Sequence, residues 1–135
     1  MSEISNQMIP KVISPRVHSV LDVLTAGAFF AMTAIWWRRR RRAAIAALAN
    51  GAFVASYSAF TDYDGSGRKP ISFKTHGRLD AVQAAMADVA PRALGFAEDK
   101  SAMFFRGQAL NEATVIALTD FEANEKRRPQ LERVA

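Results

Sequence analysis

The chain has 135 residues, half of them hydrophobic and 23% charged, with a formal net charge of +5. That composition suits one folded domain and excludes intrinsic disorder and low-complexity or collagen-like sequence. Cysteine is absent, which excludes disulfide scaffolds, thiolate metal sites and cysteine nucleophiles; His18 and His76 are the only histidines, so a three-histidine metal site within one chain is excluded too.

Taken in chain order, the first fifteen residues contain Glu3 and no long apolar run, unlike a cleaved signal peptide. A first helix is predicted from about Pro15 to Trp37, because Ser14 can cap it and Pro15 loses nothing at the first helical position. A second runs from about Arg42 to Phe60 and ends in Asp62, Asp64, Gly65, Ser66 and Gly67, residues that favour turns. A third runs from about Lys74 to Val89, where Pro91 discourages continuation. A fourth runs from about Ser101 to Glu122, and residues 124–135 read as a mobile charged tail. Alanine is abundant and alternating β-branched residues are missing, so no strand is expected.

Charge is distributed unevenly. Val23 to Trp37 and Ala43 to Thr61 carry none, and the block Arg38, Arg39, Arg40, Arg41, Arg42 lies between them. A nineteen-residue helix is about 28 Å long, close to the thickness of a bilayer's hydrocarbon core. Trp36 and Trp37 stand beside the arginines as an interfacial anchor would. The arginine block reads as a topology-determining signal; a nucleic-acid patch would need interleaved aromatics or a recognition element. Against four spans stand Arg78, Asp80 and Asp88 in the third helix and Arg106, Glu112 and Asp120 in or at the end of the fourth. Each charge near mid-bilayer costs roughly 2.5–3.5 kcal/mol unless paired or hydrated.

The second half of the chain repeats the first. Shifted by 58 residues, positions 11–64 align without a gap on 69–122, with twelve identities in 54 pairs. These include Ser14 with Ser72, His18 with His76, Asp22 with Asp80, Thr61 with Thr119 and Asp62 with Asp120. Each repeat is a helical hairpin, so the expected fold is all-α, a four-helix up-down bundle built from two homologous hairpins.

Several residues resemble a known family. Arg16, His18 and Asp22 open the first hydrophobic helix. Ser58, Thr61, Asp62 and Tyr63 close the second. His76 and Asp80 lead to a turn with Pro91, Leu94, Gly95 and Phe96. This pattern is similar to the SPW-repeat group, small bacterial integral membrane proteins with two such hairpins. The Ser-Pro-Trp of that group is missing from the first helix and reads Ala90-Pro91-Arg92 after the third. The resemblance implies a fold and a multi-pass place in the cell inner membrane, with the lipid bilayer as partner; it implies no activity.

His18 and Asp22 are four apart and share a helix face, as do His76 and Asp80. Antiparallel connectivity gathers His18, Asp22, Thr61, Asp62, His76, Asp80, Thr119 and Asp120 at one end of the bundle. Two readings follow. In one, these residues form a hydrogen-bonded clasp, each Asp accepting from its own histidine, from Thr or from backbone. In the other, two imidazoles and two or more carboxylates bind a divalent metal or relay protons. A haem between the histidines fits less well, since both lie near helix starts. No Ser/His/Asp triad, phosphate loop, dinucleotide fingerprint or Glu-x-x-His pair occurs, and Asp62 to Gly67 lacks the spacing of a calcium loop. The expectation is a non-catalytic, structural or accessory membrane protein, able to self-associate and not to bind nucleic acid. The alternative is a metal- or cofactor-binding bundle that uses His18, Asp22, His76 and Asp80 and is either membrane-bound or soluble in the cytoplasm.

Overall fold

The computed structural model describes residues 9–126. Within them the chain is all-α, with four substantial helices: α1 (Pro15–Trp36), α2 (Arg41–Ala59), α3 (Phe73–Ala93) and α4 (Ala102–Leu118). α1 packs along α2, α3 along α4, and α2 against α3.

Helix starts follow the predicted caps. Ser14 Oγ accepts from Val17 N (3.2 Å), and its repeat mate Ser72 Oγ accepts from Thr75 N (3.1 Å). The end of α3 departs from expectation, for the helix passes through Pro91 and stops at Ala93. Pro91 lies in the last turn, where it removes one backbone bond only. Termination comes from Gly95, at φ 75°. Gly95 N donates to Arg92 O (3.3 Å) and Phe96 N to Pro91 O (2.7 Å), the paired bonds of a Schellman turn. The buried Phe96 ring then packs near Phe105.

α4 stops at Leu118 instead of running to Glu122, because Thr119 turns extended (φ −89°, ψ 135°) and pairs with Ile13. Two strands of two residues also form, β1 (Thr61–Asp62) and β2 (Ile71–Ser72), in parallel. They are too short to leave a periodic signal. The 58-residue offset recurs in these contacts: Ile13 N donates to Leu118 O and Ile71 N to Phe60 O, each at 3.0 Å. Each hairpin's last residues thus hold the first residues of the other.

Residues 123–126, the first of them just before the expected tail, form a helical turn. Asn124 Nδ2 donates to Tyr63 O (3.1 Å), and Lys126 Nζ to Asp120 Oδ2 (3.2 Å). The rest of the expected tail lies outside the described residues.

The core has two parts. Away from the strands, Phe29, Trp36, Phe96 and Phe105 pack with small residues of α2, α3 and α4. The exchange of sizes follows the repeat: Phe29 aligns with Ala87, and Ala47 with Phe105. One large and one small side chain at each pair of related positions fill the interior without overpacking. Nearer the strands the core turns polar, with Gln83 Nε2 donating to Asn50 Oδ1 (3.0 Å).

The outer surfaces of the two hairpins differ. α1 exposes Val17, Val20, Val23, Leu24 and Ile35, whereas α3 and α4 expose Lys74, Arg78, Asp88, Arg92 and Arg106. Among the described residues α1 alone is long and apolar enough to cross a membrane. α2 falls short because Arg41 and Arg42 occupy its first turn and Asn50, Ser56, Tyr57 and Ser58 interrupt it.

Gly95→Ala should destabilise the protein by about 1 kcal/mol, since the left-handed backbone disfavours a Cβ and that Cβ would meet Arg42 Nη1 at 2.8 Å. Urea unfolding of the variant checks this; stability equal to the parent's would show that the turn relaxes at no cost.

Candidate metal centre

The capped helix starts place His18 and His76 in the first turn of α1 and α3, and Asp22 and Asp80 one turn further on the same inward stripe. All four side chains are buried, at 0–3% exposure. One oxygen or nitrogen from each lies within 4.8 Å of the others.

The threonines orient the imidazoles. Thr61 Oγ1 donates its hydrogen to Tyr57 O (2.6 Å), and Thr119 Oγ1 donates to Val115 O (2.6 Å). A hydroxyl has one hydrogen, so each oxygen can only accept from the histidine beside it. His76 Nδ1–H therefore donates to Thr61 Oγ1, and His18 Nδ1–H to Thr119 Oγ1, both at 2.8 Å. This leaves both Nε2 atoms facing inward. His18 Nε2 is 2.9 Å from Asp80 Oδ2 and 3.5 Å from Asp22 Oδ1. His76 Nε2 is 3.0 Å from Asp22 Oδ2 and 3.2 Å from Asp80 Oδ1, without a well-directed hydrogen bond to either.

The close pairs cross between hairpins. Each carboxylate approaches most nearly the histidine of the other repeat, not its own partner four residues away, as the clasp reading expected. The threonines likewise hold the opposite hairpin's histidine and do not reach the carboxylates.

Two phenols complete the carboxylate contacts. Tyr57 Oη donates to Asp80 Oδ1, and Tyr63 Oη to Asp22 Oδ2, each at 2.6 Å. With Phe73 and Phe121 they form an aromatic wall around the imidazoles. Glu112, only 3% exposed, comes from α4.

The electrostatics follow from burial and mutual charge. Burial alone would lower His76, but the carboxylates of Asp22 and Asp80 outweigh it and hold the imidazolium up to about 9. Burial would raise Asp80, yet His18, His76 and the Tyr57 hydroxyl hold it at about 2. For Glu112, burial, then the charges of Asp80 and Asp22, outweigh the opposing charge of His76 and push it up to about 8. Burial and the charge of Asp22 also raise the Tyr63 phenol, with Ser58 acting in the opposite direction.

Asp62 and Asp120, expected at the same site, are elsewhere. Asp62 caps the loop after β1, accepting from Ser66 Oγ (3.1 Å) and Gly67 N (2.8 Å). Asp120 accepts from Glu122 N (3.1 Å) and Lys126 Nζ. Each follows its threonine in an extended segment, where successive side chains point opposite ways. The arginine block Arg38–Arg42 lies around the α1–α2 connection: Arg41 stacks over the Trp37 ring at 4.3 Å, and Arg40 lies 3.6 Å from Asp99. Asp88 and Arg106 line one surface hollow.

Tyr57 and Glu112 were not singled out from sequence as site residues. Tyr57 was legible in hindsight, being one turn before Thr61 on the stripe of Asn50 and Val54. Glu112 showed itself only as an unexplained charge in an apolar helix.

In metal-free protein the stability from His76 is complete below about 6.5 and is lost as pH rises through about 9. That from neutral Glu112 is complete below about 4.5 and is lost as pH rises through about 8. The Asp80 contribution is complete above about 3.8 and is lost as pH falls through about 2. Urea unfolding of chelated protein should therefore show stability declining from about pH 5 to about pH 9, and Glu112→Gln should flatten part of that decline. A profile that rises over this range would overturn the charge assignment. Comparison of the chain with protein-family models, with curated proteins and with solved structures finds no match, so the chemistry of the centre is read from its geometry alone.

Proposed function

We propose that the protein is a metal-binding four-helix bundle of up-down topology, structural or accessory and not catalytic. It holds one divalent first-row cation, such as zinc, through His18 Nε2, His76 Nε2 and one oxygen each of Asp22 and Asp80. The observation that carries this reading is the pair of threonine contacts that fix both histidines as Nδ1–H tautomers with Nε2 turned onto two buried carboxylates. Metal-bound histidines are oriented in this way by a second hydrogen bond. Nε2 lone pairs facing carboxylates repel unless a cation lies between them, and only a proton or a metal ion fits there. Imidazole and carboxylate ligands without thiolate suit zinc, iron, manganese or nickel. Four protein ligands in a closed, aromatic-walled site are the mark of structural zinc, not of a catalytic site with an open position.

Charge balance supports the same reading. Two imidazolium ions and two carboxylates are neutral together; so are one dication, two neutral imidazoles and two carboxylates. A metal ion can thus replace two protons without placing net charge in the interior.

The other reading is a clasp without metal, favoured by the short His18–Asp80 and His76–Asp22 pairs. As for location, the apolar outer side of α1 beyond Arg16 supports a place at the inner membrane, in keeping with the SPW-repeat resemblance. Retention in the membrane fraction after high-salt and carbonate washing tests that placement.

Titration with zinc should give one ion per chain and raise the melting temperature; at free zinc a hundredfold above Kd the gain is about 2.7 kcal/mol. Affinity should fall on acidification as protons compete for Nε2. His18→Ala and His76→Ala should each abolish binding, and Thr61→Val or Thr119→Val should weaken it roughly 10–100-fold. Protein that binds no zinc at pH 8, and melts alike with and without it, would refute the metal reading in favour of the clasp.

A further inference from the structure

A groove of about 650 Å³ runs between α1 and α2 toward the centre. Its walls are apolar, from Val20, Val23, Ala26 and Phe30, while Ser58, Tyr63 and Asp22 give it a polar floor. Volume and lining match a small-molecule site: mostly hydrophobic, with a few polar groups at one place.

The floor states what those groups can accept. Tyr63 Oη donates its only hydrogen to Asp22 Oδ2, so its oxygen still accepts one hydrogen bond. Ser58 Oγ is buried beside Tyr63 and makes no well-directed hydrogen bond, so its O–H can turn to donate to a ligand. A donor and an acceptor side by side match a hydroxyl, which gives one hydrogen bond and receives another. The lining holds no cationic side chain that could pair with an anion, and its one charged group, the Asp22 carboxylate, is already paired with His76. We propose that this groove binds a neutral, apolar small molecule ending in a hydroxyl, its body between α1 and α2 and its hydroxyl on Ser58 and Tyr63. Asp22 belongs both to this floor and to the histidine cluster, so the ligand would sit against the centre. The inference needs no metal, and its test runs on chelated protein.

Gly27 lines the groove, and a Cβ there would meet no atom within 4 Å. Substitution at Gly27 also replaces a glycine inside a helix, so the fold should tolerate it. The experiment is competition by decan-1-ol and by decanoate against a fluorescent apolar probe, 1-aminoanthracene, on the parent, Gly27→Phe and Ser58→Ala chains. Decan-1-ol should displace the probe from the parent at least tenfold more effectively than decanoate. Gly27→Phe should lose probe and alcohol binding while melting at or above the parent's temperature. Ser58→Ala should keep the probe and bind decan-1-ol roughly three- to tenfold more weakly, the loss of one neutral hydrogen bond. Equal binding of alcohol and carboxylate would mean a non-selective apolar seat for lipid and would overturn the proposal. So would binding that Gly27→Phe leaves unchanged, because the ligand would then lie elsewhere. Zinc titration of Gly27→Phe, whose metal ligands are intact, separates failure of this inference from failure of the metal reading.

Discussion

Everything in the interior depends on two threonine hydroxyls that each have one hydrogen to give. Thr61 and Thr119 spend it on a carbonyl of the helix they terminate, and so must accept from a histidine of the other hairpin. That contact selects the tautomer, turns Nε2 toward the carboxylates, and ties the end of one hairpin to the start of the next. The parallel backbone pairs beside it, Thr61 with Ile71 and Ile13 with Thr119, hold the same elements in register. Buried carboxylates are tolerable here because each has an imidazole nitrogen within 3.0 Å and remaining lone pairs meet phenols.

Duplication explains the symmetry of the centre and also its asymmetry. The residues nearest the middle are kept in both repeats: histidine, aspartate, threonine and the capping serine. One shell out they differ. Tyr57 aligns with Val115, Tyr63 with Phe121, and Val54 with Glu112. The phenols therefore come from one hairpin only, and the extra carboxyl group from the other. The two aspartates share a partner set but not a setting: Asp22 borders the groove beside α2, whereas Asp80 faces Tyr57 and feels Glu112.

The outer surfaces have diverged further. Side chains pointing outward on α1 are almost all apolar, and those on α3 and α4 carry most of the charge of the helical region. The interior constrains a few positions in every turn of helix, and the exterior is free to follow whatever each hairpin meets.

Local order was legible in the residues themselves. Ser14 starts a helix, and the spacing of His18 to Asp22 and of His76 to Asp80 puts each pair on one face. These are properties of neighbours within a turn, where the geometry of the helix determines contact without help from the rest of the chain. The 58-residue register likewise needed only the sequence, and with it the gathering of histidines, aspartates and threonines at one end. Tertiary structure decided which of them touch. It crossed the pairs, so that His18 meets Asp80 and His76 meets Asp22. It turned Asp62 and Asp120 away on extended backbone and brought in Tyr57 and Glu112. It also carried α3 past Pro91, since a proline in a last turn sacrifices only one bond. Such outcomes depend on how two hairpins pack, and no spacing along one chain encodes the distance between side chains that lie sixty residues apart.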